Sequence, residues 1–336
     1  MITVYLESVT RSESFQELSK YMPDLGGIHI VDSPDQAEVI LITDFDAHDI
    51  MRSPLLKTYS SKCLTLSDAD EPSYYLPGLY ASNGVGMLST GRALTMNYLR
   101  VALPTRFRNT WIDQLRLENI PNRYLYSFMG GSTSFTRKRL FKQYTGHCPP
   151  DVLIQSTDQY RHWDEDNNQG RIDQQRRYIE TMLSSRFVLC PRGAGLGSYR
   201  LFETMELGRT PVIISDKWVP IEGVDWSFCL FVKESQLPQL DGIIRSHEDE
   251  WQTRGDAARR AHETHFAPRA LGMTLERQMR QILATYSPAR ERWIRGLYPI
   301  VEAATRSRRA ARAQLRSLVL SAFRITGRKL PYTLNR

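Results

Sequence analysis

The sequence predicts an α/β protein of two consecutive domains, each a parallel β-sheet with helices on both faces. Three observations lead to this prediction. Residues 37–43 (AEVILIT) form a continuous apolar run of strand length, which is typical of a strand buried on both faces. Residues 187–215 combine a strand, a glycine-rich turn, a helix and a second strand, which is the order of a βαβ unit. A new series of strands and helices begins near residue 121, and 336 residues suffice for two domains.

The first domain is predicted to comprise residues 1–120. Apolar runs predict strands at 2–6, 28–31, 37–43 and 62–66, and helical spacing predicts a helix at 12–22. The strand at 37–43 is followed by the polar cluster DFDAHD. Ligands of doubly wound sheets bind at the carboxyl ends of the strands, so this cluster is predicted to face a ligand.

The second domain is predicted to comprise residues 121–285. Strands are predicted at 123–128, 151–155, 187–190 and 211–215, and helices at 136–144, 173–185 and 198–207. The glycine-rich turn after residue 190 belongs to this domain. We therefore expect the second domain to carry the main ligand-binding loop.

The excess of positive over negative charge lies in a C-terminal tail, residues 286–336. This tail has twelve Lys or Arg and two Glu, a net charge of +10, so the other 285 residues carry −3 of the total of +7. An enzyme that binds nucleic acid usually lines its cleft with the excess positive charge. The near-neutral body therefore argues against DNA or RNA as a partner.

The sequence has no sign of an export signal or of a membrane span. The N-terminus lacks the basic, apolar and small-residue regions of a signal peptide, and no window approaches about eighteen uninterrupted apolar residues. Four scattered cysteines, Cys63, Cys148, Cys190 and Cys229, favour free thiols in a reducing compartment. We expect a cytoplasmic protein.

The glycine-rich turn carries the strongest functional signal. Gly193, Gly195 and Gly197 follow an apolar strand, and a helix begins near Ser198. Glycine permits a positive φ and a close approach of the backbone, and a helix N-terminus attracts phosphate. The turn matches neither G-x-G-x-x-G nor the P-loop motif, so by itself it predicts only a phosphate site.

Charged residues around the turn narrow this prediction. Arg192 and Arg200 flank the loop and have the planar fork that binds phosphate oxygens. Glu203 lies three residues after Arg200 on the same helix face, where a carboxylate could accept the ribose hydroxyls. An ion pair between Arg200 and Glu203 on the helix surface is an equally good interpretation of these two residues.

These residues also resemble a known family. The pattern CPRG…S.RLFE…G..PVI, which the exostosin family shares, is found here in Arg192, Gly193, Ser198, Arg200, Leu201, Phe202, Glu203, Gly208, Pro211 and Val212. Similar residues precede it at Tyr124–Gly130, Arg137, Leu140, Tyr178, Ser185 and Phe187, and follow it at Ser215, Asp216, Pro220, Trp226 and Val232. The resemblance extends over residues 35–283 and is densest in the second domain.

The resemblance implies an inverting glycosyltransferase of the GT-B fold, in which two Rossmann-like domains face each other across a cleft. The donor would be a nucleoside-diphosphate sugar, with no obligatory metal and no other cofactor. By the same resemblance Arg192 and Arg137 would neutralise the diphosphate, the loop from Gly193 to Ser198 would cradle it, and Glu203 would hold the ribose. Animal exostosins carry a membrane anchor and this sequence has none, so a bacterial-type member acting on a surface polysaccharide or a lipid-linked glycan is expected.

The catalytic base has no comparable motif. Inversion requires a group that takes the proton of the acceptor hydroxyl. Asp44, Asp46 and His48 follow the buried strand at 37–43 and are the candidate bases. For each of them the simpler interpretation is structural, with an aspartate capping a helix and His48 lying on the surface.

Three D-x-D triplets and two histidine pairings raise the question of a metal. The triplets are Asp44/Asp46, Asp68/Asp70 and Asp164/Asp166, and each is interpreted as a turn or a cap. His262 and His265 stand at i, i+3 without a third ligand, and His147 and Cys148 are adjacent and point apart. No metal site is predicted.

The tail is predicted to be a basic helix. Apolar residues recur at helical spacing at Leu315, Leu318, Val319, Ala322 and Phe323, beside a stripe formed by Arg306, Arg308, Arg309, Arg312 and Arg316. Such a helix can lie on an anionic membrane surface, or its apolar stripe can pack on the body or on a partner subunit. For the whole chain, the alternative to an active transferase is a catalytically inactive protein of this fold that binds a nucleotide or a glycan.

Overall fold

The computed structural model describes residues 1–44, 46–115, 120–160 and 168–325, and between 305 and 325 it describes side chains only at Ser307 and Gln314. The chain forms two compact units, residues 1–286 and residues 287–336. The first unit contains two parallel β-sheets and ten α-helices among its described residues. The second unit is helix α11, which contains Pro299.

The strands are β1 (Ile2–Glu7), β2 (Ile28–Ile30), β3 (Val39–Ile42), β4 (Cys63–Ser67), β5 (Gly78–Tyr80), β6 (Ala93–Thr95), β7 (Tyr124–Gly130), β8 (Val152–Ser156), β9 (Ser185–Pro191), β10 (Thr210–Ile214) and β11 (Leu230–Val232). The helices are α1 (Glu13–Tyr21), α2 (Ala47–Arg52), α3 (Leu55–Thr58), α4 (Trp111–Leu115), α5 (Phe135–Tyr144), α6 (Asn168–Leu183), α7 (Tyr199–Glu206), α8 (Leu240–Arg245), α9 (Trp251–His265), α10 (Pro268–Ala284) and α11 (Pro288–Ile325). Short 3₁₀ turns connect several of these elements.

Both sheets have the same kind of strand order. The first sheet runs β2-β1-β3-β4-β5-β6 and the second β11-β10-β9-β7-β8, and every neighbouring pair is parallel. In each sheet the chain moves outward from its first strand and then crosses to the other side. This reversal leaves a crevice between β1 and β3 and a second one between β7 and β9, and such crevices are where doubly wound sheets bind ligands.

The predicted fold class is confirmed. All eight predicted strands are present, each within two residues of its predicted ends. Strands β5, β6 and β11 were not predicted, because runs of three residues give only a weak hydrophobic pattern. Helix α6 begins at residue 168, earlier than the apolar spacing from 173 indicates.

Helix α10 packs on the first sheet although the sequence places it with the second domain. Leu271, Leu275 and Met279 lie in one apolar core with residues of the first sheet. The Gln278 side chain donates a 2.7 Å hydrogen bond to the carbonyl oxygen of Thr95, at the end of β6. The chain therefore returns to the first sheet after completing the second.

The second sheet has its own apolar core. Phe128, Phe187 and Val212 on its central strands pack with Leu140 of α5 and Leu240 of α8. A separate cluster fills the space between α4, α6 and β9. The loops that follow β7 and β9 are thus held by strands that are buried on both faces.

The backbone of the tail is helical, as predicted, from Pro288 to Ile325. The basic and apolar side chains on which the membrane hypothesis depends, from Arg306 to Phe323, lie outside the residues whose side chains are described. Within the described part of the chain, no helix has both the length and the apolarity needed to cross a bilayer.

Candidate functional site

The carboxyl ends of the two sheets meet along one cleft in the first unit. The backbone N–H of Leu196, in the glycine-rich loop after β9, donates a 3.0 Å hydrogen bond to the hydroxyl of Ser82, which follows β5. The hydroxyl of Tyr199, the first residue of α7, donates to Asp68 after β4 at 3.3 Å. Loops of the first sheet therefore reach the predicted phosphate loop directly.

The glycine-rich loop is anchored at both ends. The Ser215 hydroxyl, at the end of β10, donates to the carbonyl oxygen of Leu196 at 3.0 Å. Ser198 is the N-cap of α7, and its hydroxyl accepts a 3.3 Å hydrogen bond from the backbone N–H of Arg200. The N-terminus of α7 thus points into the cleft, as the strand–turn–helix pattern predicts.

The loop contains glycine because of space and not because of backbone conformation. None of Gly193, Gly195 and Gly197 has a φ in the left-handed region, so that part of the expectation is wrong. A Cβ on Gly195 would lie 2.5 Å from the Tyr98 hydroxyl and 2.6 Å from Oδ1 of Asp70, far inside van der Waals contact. Side chains of the opposite sheet therefore press against the loop backbone.

Two guanidinium groups lie at the crevice between β7 and β9. Arg137, on α5, donates to the carbonyl oxygen of Pro191 through Nε and Nη2 at 3.3 and 3.2 Å. Arg200, on α7, is 6% exposed and donates through Nη2 to the carbonyl oxygen of Met129. Both guanidiniums lie over the ring of Phe128, at 5.4 and 4.5 Å from its centroid.

These two arginines carry charge that their surroundings do not balance. Burial, with a smaller contribution from the nearby charge of Arg200, lowers the pKa of Arg137 to about 9. Among the described residues neither arginine has a carboxylate within 4 Å, and Nη1 of Arg200 is buried without a hydrogen-bond partner. Buried cations are normally paired, so this arrangement suits an anion that supplies the missing acceptors.

Arg192 is held in a different way. Its Nε donates a 2.8 Å charge-assisted hydrogen bond to Glu234, whose other carboxylate oxygen accepts from the Thr136 hydroxyl. Burial raises the pKa of Glu234, but the hydrogen bonds from Thr136 and Arg192 outweigh burial and the net pKa is lowered. Glu234 is therefore a carboxylate that orients Arg192 beside the loop, with the terminal nitrogens of Arg192 left to bind a ligand.

Glu203 does not pair with Arg200. Its Oε2 accepts a 2.6 Å hydrogen bond from the Tyr178 hydroxyl, on α6. Within the described ranges no ion pair joins Arg200 and Glu203, so the interpretation of these residues as a surface ion pair is wrong. Tyr178 fixes one carboxylate oxygen and leaves the other able to accept from a ligand.

The three candidate bases lie on the first sheet at the β1–β3 crevice. Asp44 is 3% exposed and accepts four hydrogen bonds, at 2.7–3.1 Å, from the hydroxyls of Ser8 and Thr10 and the backbone N–H groups of Val9 and Thr10. Asp46 is the N-cap of α2 and accepts a 2.7 Å hydrogen bond from the backbone N–H of His48, which is exposed. These contacts are the structural roles that the sequence offered as alternatives.

A second carboxylate pair, interpreted from sequence as a turn or cap, faces the glycine-rich loop. Asp68 and Asp70 follow β4, and Asp70 accepts a 3.2 Å hydrogen bond from the Tyr98 hydroxyl. Burial, with a smaller contribution from the charge of Asp70, raises the pKa of Asp68 to about 6 against the lowering effect of the Tyr199 hydrogen bond. These two aspartates were not predicted as site residues, although they follow the strand at 63–67 just as DFDAHD follows the strand at 37–43.

The remaining metal candidates are few. Asp164 and Asp166 lie outside the described residues. Over the described ranges, no group of three or more His, Cys, Asp or Glu side chains is arranged to hold a metal ion.

Comparison with known proteins places the second sheet in a family. A profile of the Exostosin GT47 domain matches residues 79–247, which include the glycine-rich loop and the arginines around it. Exostosin-1 of Drosophila melanogaster is 32% identical over 180 residues, which are 49% of this chain and 23% of that protein. The Exostosin-1 homolog of Caenorhabditis elegans is 35% identical over 145 residues, 39% of this chain and 37% of that protein. The chain thus covers only a minor part of these relatives.

The solved structures that align with this chain have a lower sequence identity to it than these relatives have. AviGT4, a glycosyltransferase involved in avilamycin A biosynthesis, aligns over 85% of this chain and 99% of its own with 13% identity and a TM-score of 0.43. Alr3699/HepE of Anabaena, solved in complex with UDP, aligns over 85% and 100% with 12% identity and a TM-score of 0.38.

Proposed function

The chain belongs to the Exostosin GT47 family, and from this we propose that it is a glycosyltransferase that moves a sugar from a nucleoside-diphosphate sugar to a glycan acceptor. The observation that carries the proposal is the pair of arginines at the β7–β9 crevice. Arg137 and Arg200 are cations without a carboxylate partner in the described structure, next to a loop that ends in a helix N-terminus. A diphosphate offers the acceptors and the negative charge that this crevice lacks.

The same charges would assist the chemistry. As the bond from the anomeric carbon to the diphosphate breaks, negative charge grows on the leaving oxygen. Arg137, Arg192 and Arg200 would stabilise that charge, together with the N-terminus of α7. These cations can neutralise a diphosphate without a metal ion, and we propose that none is required.

Glu203 would bind the ribose of the donor. Tyr178 donates to one of its oxygens and fixes the orientation of the carboxylate. The other oxygen has no partner among the described residues and can accept from a ribose hydroxyl. Glu203 and Arg200 then act as separate ligand groups on one helix, which agrees with their lack of an ion pair.

The finer assignments are further parts of the proposal. Inversion at the anomeric carbon follows from a single displacement with a base on the acceptor side. A bacterial surface polysaccharide or a lipid-linked oligosaccharide is the proposed acceptor class, with the tail on an anionic membrane surface.

Sedimentation of the full chain with phosphatidylglycerol vesicles, but not with phosphatidylcholine vesicles, would support the tail assignment if added salt abolishes it. Equal sedimentation with both would contradict it.

Nucleotide binding tests the proposal directly. Titration calorimetry of the full chain with UDP and GDP is expected to show binding of at least one nucleotide, and Glu203→Ala is expected to weaken it about tenfold or more. Glu263→Ala, which changes an exposed glutamate of α9, is the matched control and should bind as wild type does. No binding by wild type, or binding insensitive to Glu203→Ala, would contradict the donor site. Binding without turnover of any nucleotide sugar in a donor panel would favour the inactive binding protein.

A further inference from the structure

The two carboxylates that follow β4 lie on the acceptor side of the proposed donor site. Asp70 is exposed to the cleft, and its Oδ1 stands so close to the loop that a Cβ on Gly195 would lie 2.6 Å away. Its negative charge is near enough to act on the pKa of Arg137, on the far side of the same loop. A carboxylate and a guanidinium thus flank the glycine-rich loop from opposite sheets.

The side chain of Asp70 is held in this position by neighbours of the first sheet. The Tyr98 hydroxyl donates to Oδ1 at 3.2 Å, and the Ser82 hydroxyl donates to the backbone carbonyl of Asp70 at 2.7 Å. Ser82 also accepts from the backbone N–H of Leu196, so one hydroxyl connects the Asp70 loop to the phosphate loop. Asp70 therefore has a fixed location relative to the donor site, and Oδ2 keeps free acceptor capacity.

Asp68 is tied to the second sheet by a different contact. The Tyr199 hydroxyl donates to its Oδ2 at 3.3 Å, and the rings of Tyr199 and Tyr98 stand 4.6 Å apart. The two aspartates are thus joined through a pair of tyrosines, one from each side of the cleft. Asp68 is partly buried and Asp70 is open, so only Asp70 is placed to meet a substrate.

The orphaned nitrogen of Arg200 gives independent evidence that a ligand belongs in this cleft. Arg200 is 6% exposed and its Nη1 has no partner. By contrast, Asp44 is 3% exposed and already accepts four hydrogen bonds from residues 8–10. Neither Asp46 nor His48 hydrogen bonds to the glycine-rich loop within the described residues.

We propose that Asp70 is the general base of the transfer reaction and that Asp68 is a positioning residue that acts through Tyr199. The inference rests on the proposed function. The proton of the acceptor hydroxyl passes to Oδ2 of Asp70 as the acceptor oxygen bonds to the anomeric carbon. The bond from that carbon to the diphosphate oxygen breaks, and its electron pair leaves with the diphosphate. Arg137 and Arg200 stabilise the charge of the departing diphosphate.

The test separates chemistry from donor binding. Transfer is measured on the full chain with the nucleotide sugar that wild type turns over fastest, by UDP or GDP release in the presence of mono- and disaccharide acceptors. Asp70→Asn is expected to lower kcat by a factor of about 10²–10⁴, the range of general base catalysis. UDP or GDP affinity, measured by calorimetry, should stay equal or increase, because a negative charge beside the phosphate loop is removed. Asp256→Asn, which changes an exposed aspartate of α9, is the matched control and should retain its rate.

Each outcome is informative. If Asp70→Asn binds the nucleotide and turns over at the wild-type rate, Asp70 is not the base. If Asp46→Asn loses the rate instead, the base lies at the β1–β3 crevice. Wild type that binds nucleotide but transfers nothing overturns the base assignment and leaves the donor site standing. Wild type that binds no nucleotide overturns the proposed function itself. If Asp70→Asn does not fold, Asp70→Glu, which keeps the carboxylate, should restore both folding and part of the rate.

Discussion

The two crevices of this molecule have the same topology and opposite electrostatics. Between β1 and β3, the buried carboxylate of Asp44 accepts four hydrogen bonds from the loop at 8–10. Between β7 and β9, Arg137 and Arg200 have only carbonyl partners, and one nitrogen of Arg200 has none. The charged group of the first crevice is engaged by protein donors, whereas the charged groups of the second crevice have no carboxylate partner among the described residues and can bind an anion.

This difference shows which crevice is built for a ligand. A buried carboxylate that accepts four hydrogen bonds from backbone N–H groups and hydroxyls of the protein contributes to folding and has little left to offer a substrate. Two cations that lie close together without a carboxylate oppose folding, and such groups are retained at functional sites. Topology alone places a ligand at either crevice, and the hydrogen-bond partners decide between them.

The largest expected effect is on nucleotide binding. Arg137→Ala and Arg200→Ala should each weaken UDP or GDP affinity by about 10- to 150-fold, which corresponds to about 1.5–3 kcal/mol for a charge-assisted hydrogen bond. The double variant should bind no nucleotide detectably in calorimetry. Lys142→Ala, an exposed residue of the same helix as Arg137, is the control and should bind normally.

Unfolding of the same variants tests whether the second crevice is a structural site. Because Arg137 and Arg200 repel each other, removing Arg137 should leave the free energy of unfolding within about 1 kcal/mol of wild type. A loss of several kcal/mol in urea, with nucleotide affinity retained, would mean that the second crevice is a structural site like the first.

The second effect is on stability at the first crevice. Asp44→Ala leaves the buried hydroxyl of Ser8 and the N–H groups of Val9 and Thr10 without their acceptor, and should lower the free energy of unfolding by about 3 kcal/mol. Asp46→Ala removes only an N-cap and should cost about 1 kcal/mol. Urea denaturation measures both. A stable Asp44→Ala protein that has lost transfer would restore Asp44 as the candidate base.

Much of the fold and half of the site could be predicted from the sequence. The eight predicted strands lie in clear apolar runs, and the glycine-rich loop with Arg192, Arg200 and Glu203 is contiguous, so the local sequence pattern was sufficient. The pairing partners were not predictable. Arg200 and Glu203 have the spacing of an ion pair, and only the position of Tyr178 on another helix decides that they do not form one.

The acceptor side could not be located from local sequence. Asp44 and Asp70 each follow a strand of the first sheet, and the sequence gives no means of ranking them. Their difference depends on which strand end faces the second sheet. Asp70 meets Gly195, which is more than a hundred residues away, and that contact belongs to the tertiary fold. The steric reason for a glycine at position 195 could not be predicted either, because the atoms that a Cβ would meet belong to Tyr98 and Asp70 of the other sheet.

A smaller effect is expected when the crowded loop is filled. Gly195→Ala places a methyl group 2.5 Å from the Tyr98 hydroxyl, so the loop or the tyrosine must shift. We expect a loss of about 1–3 kcal/mol, divided between stability and nucleotide affinity, as for overpacking of a core. Gly242→Ala in α8, where a Cβ meets nothing within 4 Å, is the control and should be neutral or slightly stabilising. Equal behaviour of the two variants would show that the sheets do not press against each other at Gly195.

The smallest effect concerns pH. Asp68 faces Asp70, Tyr98 and Tyr199, and burial raises its pKa to about 6, with a further contribution from the charge of Asp70. Above pH 6 Asp68 is ionised, and the carboxylate is the stronger acceptor for the Tyr199 hydroxyl, so it holds the Tyr199–Tyr98 pair beside Asp70. As the pH falls through about 6 Asp68 becomes neutral, so the wild-type transfer rate should decline severalfold in this range. Asp68→Asn imitates the neutral form at every pH, so it should show a lower rate above pH 7 and no step near pH 6. A step that persists in Asp68→Asn would belong to another group, and Asp68 would then have no part in positioning the base.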